Sequence, residues 1–197
     1  MLQNRESFGR IGIAGYMGAG KSTCAHYLAG PETCIIDADR EAKLMMAGDE
    51  SIRRQLASAF GASVLHETSV EFGALGKSAF SSVQSIRTLN GIVHPALVER
   101  LRTRVDAIAG PCILDAALIP LWGIESWFDL CLWVTAEPQL RSRRVREKTG
   151  LGPDAIALRM SIQEAVVNVP SGPRWTHISN SGSLVDLEQR LEGLRAP

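Results

Sequence analysis

Cysteine is scarce in this chain, and none of it is arranged to bind metal. Cys24, Cys34, Cys112 and Cys131 are scattered without a CxxC pair, so neither a disulfide framework nor a zinc site is indicated. Long apolar runs are lacking as well. None approaches the roughly 18 to 20 residues of a spanning helix, and the polar start MLQNRESFGR has no apolar stretch of the secretory type. Neither sign of charge is in excess, because 21 Lys plus Arg balance 21 Asp plus Glu. With no global field to hold the protein on nucleic acid or an anionic membrane, any affinity for phosphate has to be local. These absences predict a cytoplasmic protein with no nucleic acid and no membrane among its partners.

What is present suffices for one folded domain with a small inserted lobe: 197 residues, 45% of them apolar. Residues 10–14 (RIGIA) are a short apolar run that stops at a glycine-rich turn, and residues 22–28 read as the helix that follows. Cys34, Ile35 and Ile36 make a second run, with a helical stretch from Arg40 to Met46 after it. Residues 49–60 set Ile52, Leu56 and Phe60 four apart, which predicts a helix stopped by Gly61. Weak periodicity over residues 62–85 predicts a loop with one short helix. Apolar positions recur every three or four residues over 86–109, predicting a long helix bent or reset at Pro95. Residues 112–114 and 130–134 are continuously apolar, as in strands buried on both faces. Helical segments at 137–148 and 154–166, a last strand at 175–179 and a closing helix with Leu184, Leu187, Leu191 and Leu194 on one stripe complete the pattern. Such alternation predicts an α/β fold, a three-layer doubly wound parallel sheet.

Gly15, Tyr16, Met17, Gly18, Ala19, Gly20, Lys21 and Ser22 match GxxxxGK[ST] at every fixed position, between an expected strand and an expected helix, with Thr23 next. Glycines let backbone N–H groups approach phosphate oxygens, and the helix start adds its positive end. Lys21 supplies a full charge for the β- and γ-phosphates, and the Ser22 hydroxyl suits Mg2+, which prefers oxygen ligands. No NKxD segment and no DxxG follows, which sets guanine-nucleotide switching aside. The expectation is an ATP-dependent small-molecule kinase of the P-loop class.

A kinase also needs a carboxylate to orient and deprotonate its acceptor hydroxyl, and Asp37 and Asp39 leave the second strand beside the loop. Capping of the next helix is the alternative role for either. Asp115 ends an apolar strand, where it is placed either to hold Mg2+ through water or to cap the following turn.

Taken together, the loop IGIAGYMGAGKST, the segment IIDAD, LNGIVHP at 89–95, ILDAAL at 113–118, PQLRSRRVR, RMSIQ and ISNSGSLVDLEQRL resemble the dephospho-CoA kinase family nearly end to end. That resemblance implies transfer of phosphate from ATP, with Mg2+, to the ribose 3'-hydroxyl of dephospho-CoA. It implies a nucleotide core at 8–40, 111–140 and 172–197, a helical acceptor-binding lobe at about 41–110 and a lid at about 141–168. It favours Asp39 as the base and Asp37, Lys77 and His94 on the acceptor side. Arg146 matches the family's arginine ahead of the lid, Asn180 lies where the family approaches adenine, and Gln163 matches a glutamine of structural or lid-related role. Arg141, Arg143 and Arg144 are read either as lid cations or as a solvated helix face.

Departures from the family pattern are local. A second glycine is common where Tyr16 stands, a glutamate where Leu121 stands, and an arginine at Ser142, for which a neighbouring arginine is expected to substitute. Rival readings are a P-loop kinase for a nucleoside, nucleotide or sugar acid, and a nucleotide-binding regulator without transferase activity.

Overall fold

Strands that read as unbroken apolar runs become the middle layer of the protein. The computed structural model describes residues 9–194; the start at 1–8 and the last three positions of the expected core segment 172–197 lie outside them. In chain order, β1 (Arg10–Gly15) turns into α1 (Lys21–Leu28), β2 (Cys34–Asp37) runs straight into α2 (Ala38–Gly48), and α3 (Glu50–Phe60) follows. A 3-10 turn at Ala62–Val64 and the small hairpin of β3 (Leu65–His66) and β4 (Ser69–Val70) precede α4 (Phe72–Ala79) and the 24-residue α5 (Val83–Asp106). After these come β5 (Cys112–Asp115), α6 (Ile119–Trp122), β6 (Leu130–Thr135), α7 (Pro138–Thr149), α8 (Pro153–Val166), β7 (Trp175–Ser179) and α9 (Leu184–Glu192).

Five strands pair in parallel in the order β2-β5-β1-β6-β7. Alternate residues bury to opposite faces. Ile11, Ile13, Ile113, Leu132 and Val134 meet Cys24, Leu28, Leu187 and Leu191 of α1 and α9, while Ile36, Leu114, Cys131 and Trp133 meet Met45, Leu56, Leu97 and Leu101 of α2, α3 and α5. Helices on both faces of a parallel sheet make three layers, as expected from the continuous apolar strands. Because β1 has β5 on one side and β6 on the other, a crevice opens at the carboxyl ends of these strands, where such sheets bind ligands.

Three expectations need correction. Residues 62–85 hold a hairpin as well as a helix; α4 carries two glycines and is held by burial of Leu75 and Ala79, not by propensity. Of the bend or reset expected at Pro95, the reset does not occur: Pro95 lies inside one continuous helix, with Val93, Leu97 and Leu101 buried on either side of it. Leu184 is 64% exposed and off the buried stripe, since the Ser183–Asp186 capping box starts α9 there, before the helix reaches the sheet. Among the described residues, no helix is long and apolar enough to cross a membrane.

Candidate active site

Several helix starts are closed by a side chain. Asp37 caps α2, Asp49 caps α3, Ser82 caps α5 and Ser183 caps α9. The start of α1 is open: Gly20 stands at its N-cap with no side-chain hydrogen bond, and the first turn has no acidic residue. Its amides therefore remain available to an anion. Glycine is obligatory at two loop positions. Gly18 (φ 74°) and Gly20 (φ 97°) are left-handed, and a Cβ would come within 2.5 Å of the Arg141 carbonyl and 2.1 Å of Asn180 Nδ2 respectively.

Behind that cradle the Ser22 hydroxyl donates to Asp115 Oδ2 at 2.6 Å. Burial raises the Asp115 carboxyl above its ordinary value; the Lys21 charge and the Ser22 bond pull it down, and the negative charges of Asp37 and Asp39 push it up. Lys21, Ser22, Asp37, Asp39 and Asp115 are thus one electrostatic cluster at the ends of β1, β2 and β5, with Asp37 and Asp115 in direct register. Asp37 accepts from the Arg40 amide at 3.1 Å and is the cap, which leaves the exposed Asp39 carboxylate free. On the opposite side of the same turn, buried Glu41 takes hydrogen bonds from Arg100 (2.8 Å) and Arg104 (2.5 Å). Burial alone would raise its carboxyl, but the two guanidiniums hold it below the usual value, and the pair clasps α2 to α5. For a hard divalent cation the oxygen donors Ser22 and Asp115 fit, with phosphate oxygens and water completing the shell. No cluster of three or more His, Cys, Asp or Glu among the described residues is placed to enclose a metal alone.

A cleft of about 620 Å3 lies between α5, α6 and α8, lined by Arg87, Asn90, His94, Leu121, Trp122 and Val166 among others. Gly91 and Pro95 also line it; lacking an N–H, Pro95 leaves the Gly91 carbonyl without its helical partner. The His94 ring stands perpendicular to Trp122 at 5.4 Å between centroids. Burial lowers its pKa from 6.5 to about 4, so the imidazole in the cleft is neutral. Between those values the unfolded chain binds the proton and the folded protein does not. The His94 contribution to stability is therefore complete above about pH 6.5 and declines as the pH falls toward 4. In thermal melts across that window, His94→Gln is expected to flatten the dependence of Tm on pH; parallel curves for variant and wild type would refute the assignment. Lys77 is exposed in the last turn of α4, and the structure brings it into no contact with the cleft or the loop.

The arginines of α7 divide. Arg143 is exposed and pairs loosely with Glu147 at 3.9 Å. Arg146 is exposed without a hydrogen bond or ion pair among the described residues. Arg144 reaches the loop, donating to the Gly18 carbonyl at 3.4 Å and the Asn180 carbonyl at 3.2 Å. Arg141 is buried, bonded to Glu164 and 5.0 Å over the Tyr16 ring. Asn180, 3% exposed, spends its side-chain N–H on the Ala19 carbonyl at 2.8 Å, which ties the loop to the end of β7.

Residues 10–175 match the family model described as Dephospho-CoA kinase. This chain belongs to the dephospho-CoA kinase family. A Dephospho-CoA kinase from Corynebacterium glutamicum is 31% identical over 196 residues, covering 95% of this chain and 96% of that one. Among solved structures, TT1252 from Thermus thermophilus superposes with a TM-score of 0.67 at 28% identity, over 94% of this chain and 95% of its own. The Dephospho-CoA kinase from Campylobacter jejuni shares the fold, with a TM-score of 0.55 at 15% identity over 94% and 95%.

In this dephospho-CoA kinase family member, reading the sequence misses Arg87, Asn90 and Trp122 in the cleft and the loop contact of Arg144. Helical spacing carried a signal for the first two: positions 87, 90, 91, 94, 95 and 98 share one stripe of α5, and they line the cleft. Arg144 carried no local signal, since its partners come from two other segments.

Proposed function

We propose that this chain transfers the γ-phosphoryl group of ATP to the ribose 3'-hydroxyl of dephospho-CoA, giving coenzyme A and ADP. The observation that carries this reading is the cluster of Lys21, Ser22, Asp115 and the free Asp39 around an uncapped helix start. Amides of the Gly15 to Thr23 loop other than that of Met17, which is bonded to Gln163, hold the triphosphate together with the Lys21 ammonium, and Ser22 and Asp115 would hold Mg2+, which would neutralise phosphate charge when bound. The acceptor hydroxyl donates its proton to Asp39 Oδ as it attacks. Asp37 serves by fixing the start of α2, and Asn180 by setting the loop wall on the adenine side. Arg146 reaches phosphate only when the lid closes.

On this reading residues of about 41–110 form the acceptor lobe, with the α5–α6–α8 cleft and His94 taking part of dephospho-CoA. Lys77, exposed on α4 and outside the lining of that cleft, acts on the acceptor's phosphates. Residues 141–168 are the lid, and the enzyme works in the cytoplasm. The decisive measurement is CoA formation with ATP and Mg2+, beside ADP release with a nucleoside, a nucleotide and a sugar acid as acceptors. Turnover of dephospho-CoA alone is the expected result. Turnover of another acceptor without CoA formation would overturn the substrate, and ATP binding without any turnover would mark a nucleotide-binding regulator.

A further inference from the structure

Two hydrogen bonds join the C-terminal end of α8 directly to the phosphate loop, and Arg141 of α7 links them a second way. The Met17 amide donates to Gln163 Oε1 at 2.7 Å. The Tyr16 hydroxyl donates to the Val167 carbonyl at 2.9 Å. The Tyr16 ring is held between Trp133 of β6, perpendicular at 5.1 Å, and the buried Arg141 guanidinium, which is itself tied to Glu164 of α8. The Arg141 backbone presses on Gly18, so closely that no Cβ fits there. Residues 16–18 of the loop are therefore enclosed between the sheet and the two lid helices.

The same helix holds the other side of the molecule. Ile162 is buried against Ala79 of α4 and Ile86 of α5, the Arg159 guanidinium lies 4.8 Å over Phe80, and Val166 lines the acceptor cleft. Residues 146–150 and 152–154, in contrast, are all exposed. A segment with one end buried against two sites and the other in solvent does not move as one body.

We propose that the C-terminal half of α8 is a fixed buttress of the phosphate loop, with Gln163 and Tyr16 as positioning residues for ATP. Lid motion is then confined to about 146–154, the last turn of α7, the connecting turn and the first residues of α8, a stretch that carries Arg146. The Met17 amide, committed to Gln163, binds no phosphate. Its work is to hold the turn in which the Ala19 amide donates to the Tyr16 carbonyl at 3.1 Å. Tyr16, in place of the glycine common at this position, adds the second anchor. The proposal rests on the reading of this loop as the ATP site, and its test has a readout that needs no nucleotide.

That readout is amide hydrogen exchange in the full-length protein without ligand. In the wild type, Met17 is expected to exchange slowly and residues 146–154 rapidly. Gln163→Ala should speed exchange at Met17 and raise the KM for ATP about tenfold, the size of one lost buried hydrogen bond, with the KM for dephospho-CoA unchanged. Gln163→Glu keeps an acceptor for the amide and should restore Met17 protection, while its charge beside the triphosphate keeps the KM for ATP high and salt-dependent. Tyr16→Phe, which loses only the bond to Val167, should give a smaller rise. Rapid exchange at Met17 in the wild type, or an unchanged KM for ATP in Gln163→Ala, overturns the proposal. Absence of CoA formation by a wild type whose Met17 is protected strikes the functional reading and not the buttress.

Discussion

Asp39→Asn is expected to lower kcat for CoA formation by ~10² to 10⁴, the usual contribution of a positioned general base, with ATP affinity close to that of the wild type. The physical case is one of availability. Asp37 is occupied as the cap of α2, whereas Asp39 lies exposed in the first turn of that helix with its carboxylate uncommitted. Glu41, two residues on and so on the far side of the helix, is pinned by Arg100 and Arg104. The clasp fixes the helix and therefore the carboxylate. Asparagine keeps the shape and loses the basicity, so the loss should fall on kcat rather than on binding. Initial rates of CoA formation, paired with ATP titration of the same samples, check this. A variant that keeps nearly full rate would remove Asp39 from the mechanism.

Lys21→Ala is expected to cost about 10² to 10³ in kcat/KM for ATP, as removal of one preorganised transition-state donor does elsewhere. Lys21 is the first residue of α1, on a helix start with no acidic side chain and no capping group. It is the charge that acts most strongly on the Asp115 carboxyl, holding it down against burial. Removing it leaves the negative charges of Asp37, Asp39 and Asp115 beside the triphosphate without the ammonium that offsets them at the loop. Lys21→Arg should recover little, because a planar guanidinium does not fit a site shaped for a compact ammonium. Isothermal titration of ATP and steady-state rates check both variants, and an unaltered ATP affinity in Lys21→Ala would place the phosphates elsewhere.

Local features were legible in the sequence and remote ones were not. Strands β1, β5 and β6 announce themselves because burial on both faces demands unbroken apolar runs. The phosphate loop does so because only glycine survives where Gly18 and Gly20 stand. Helix α4 was poorly legible, since Gly73 and Gly76 weaken its propensity and its formation depends on Leu75 and Ala79 finding a core. The arginines of α7 were the hardest. Arg141, Arg143 and Arg144 read either as lid cations or as a solvated face, yet Arg141 is buried by Tyr16 and Glu164, from segments more than twenty residues away in either direction. Pro95 shows the converse: its helix-breaking signature was plain, but α5 continues through it, with Val93, Leu97 and Leu101 packed into the core on both sides. The likeness to a family supplied what spacing could not, above all the preference for Asp39 over Asp37, which the Asp39→Asn variant tests.

The strand order has a consequence for how the chain is made. β1 emerges first from the ribosome, yet its two neighbours are Cys112–Asp115 and Leu130–Thr135. Until translation has passed these segments, an apolar strand stays unpaired along both edges, a condition that invites association between nascent chains. Such long-range closure also makes for slow folding. Production at low temperature, or beside a chaperone that shields apolar segments, should raise the yield of soluble protein more than any change to the surface.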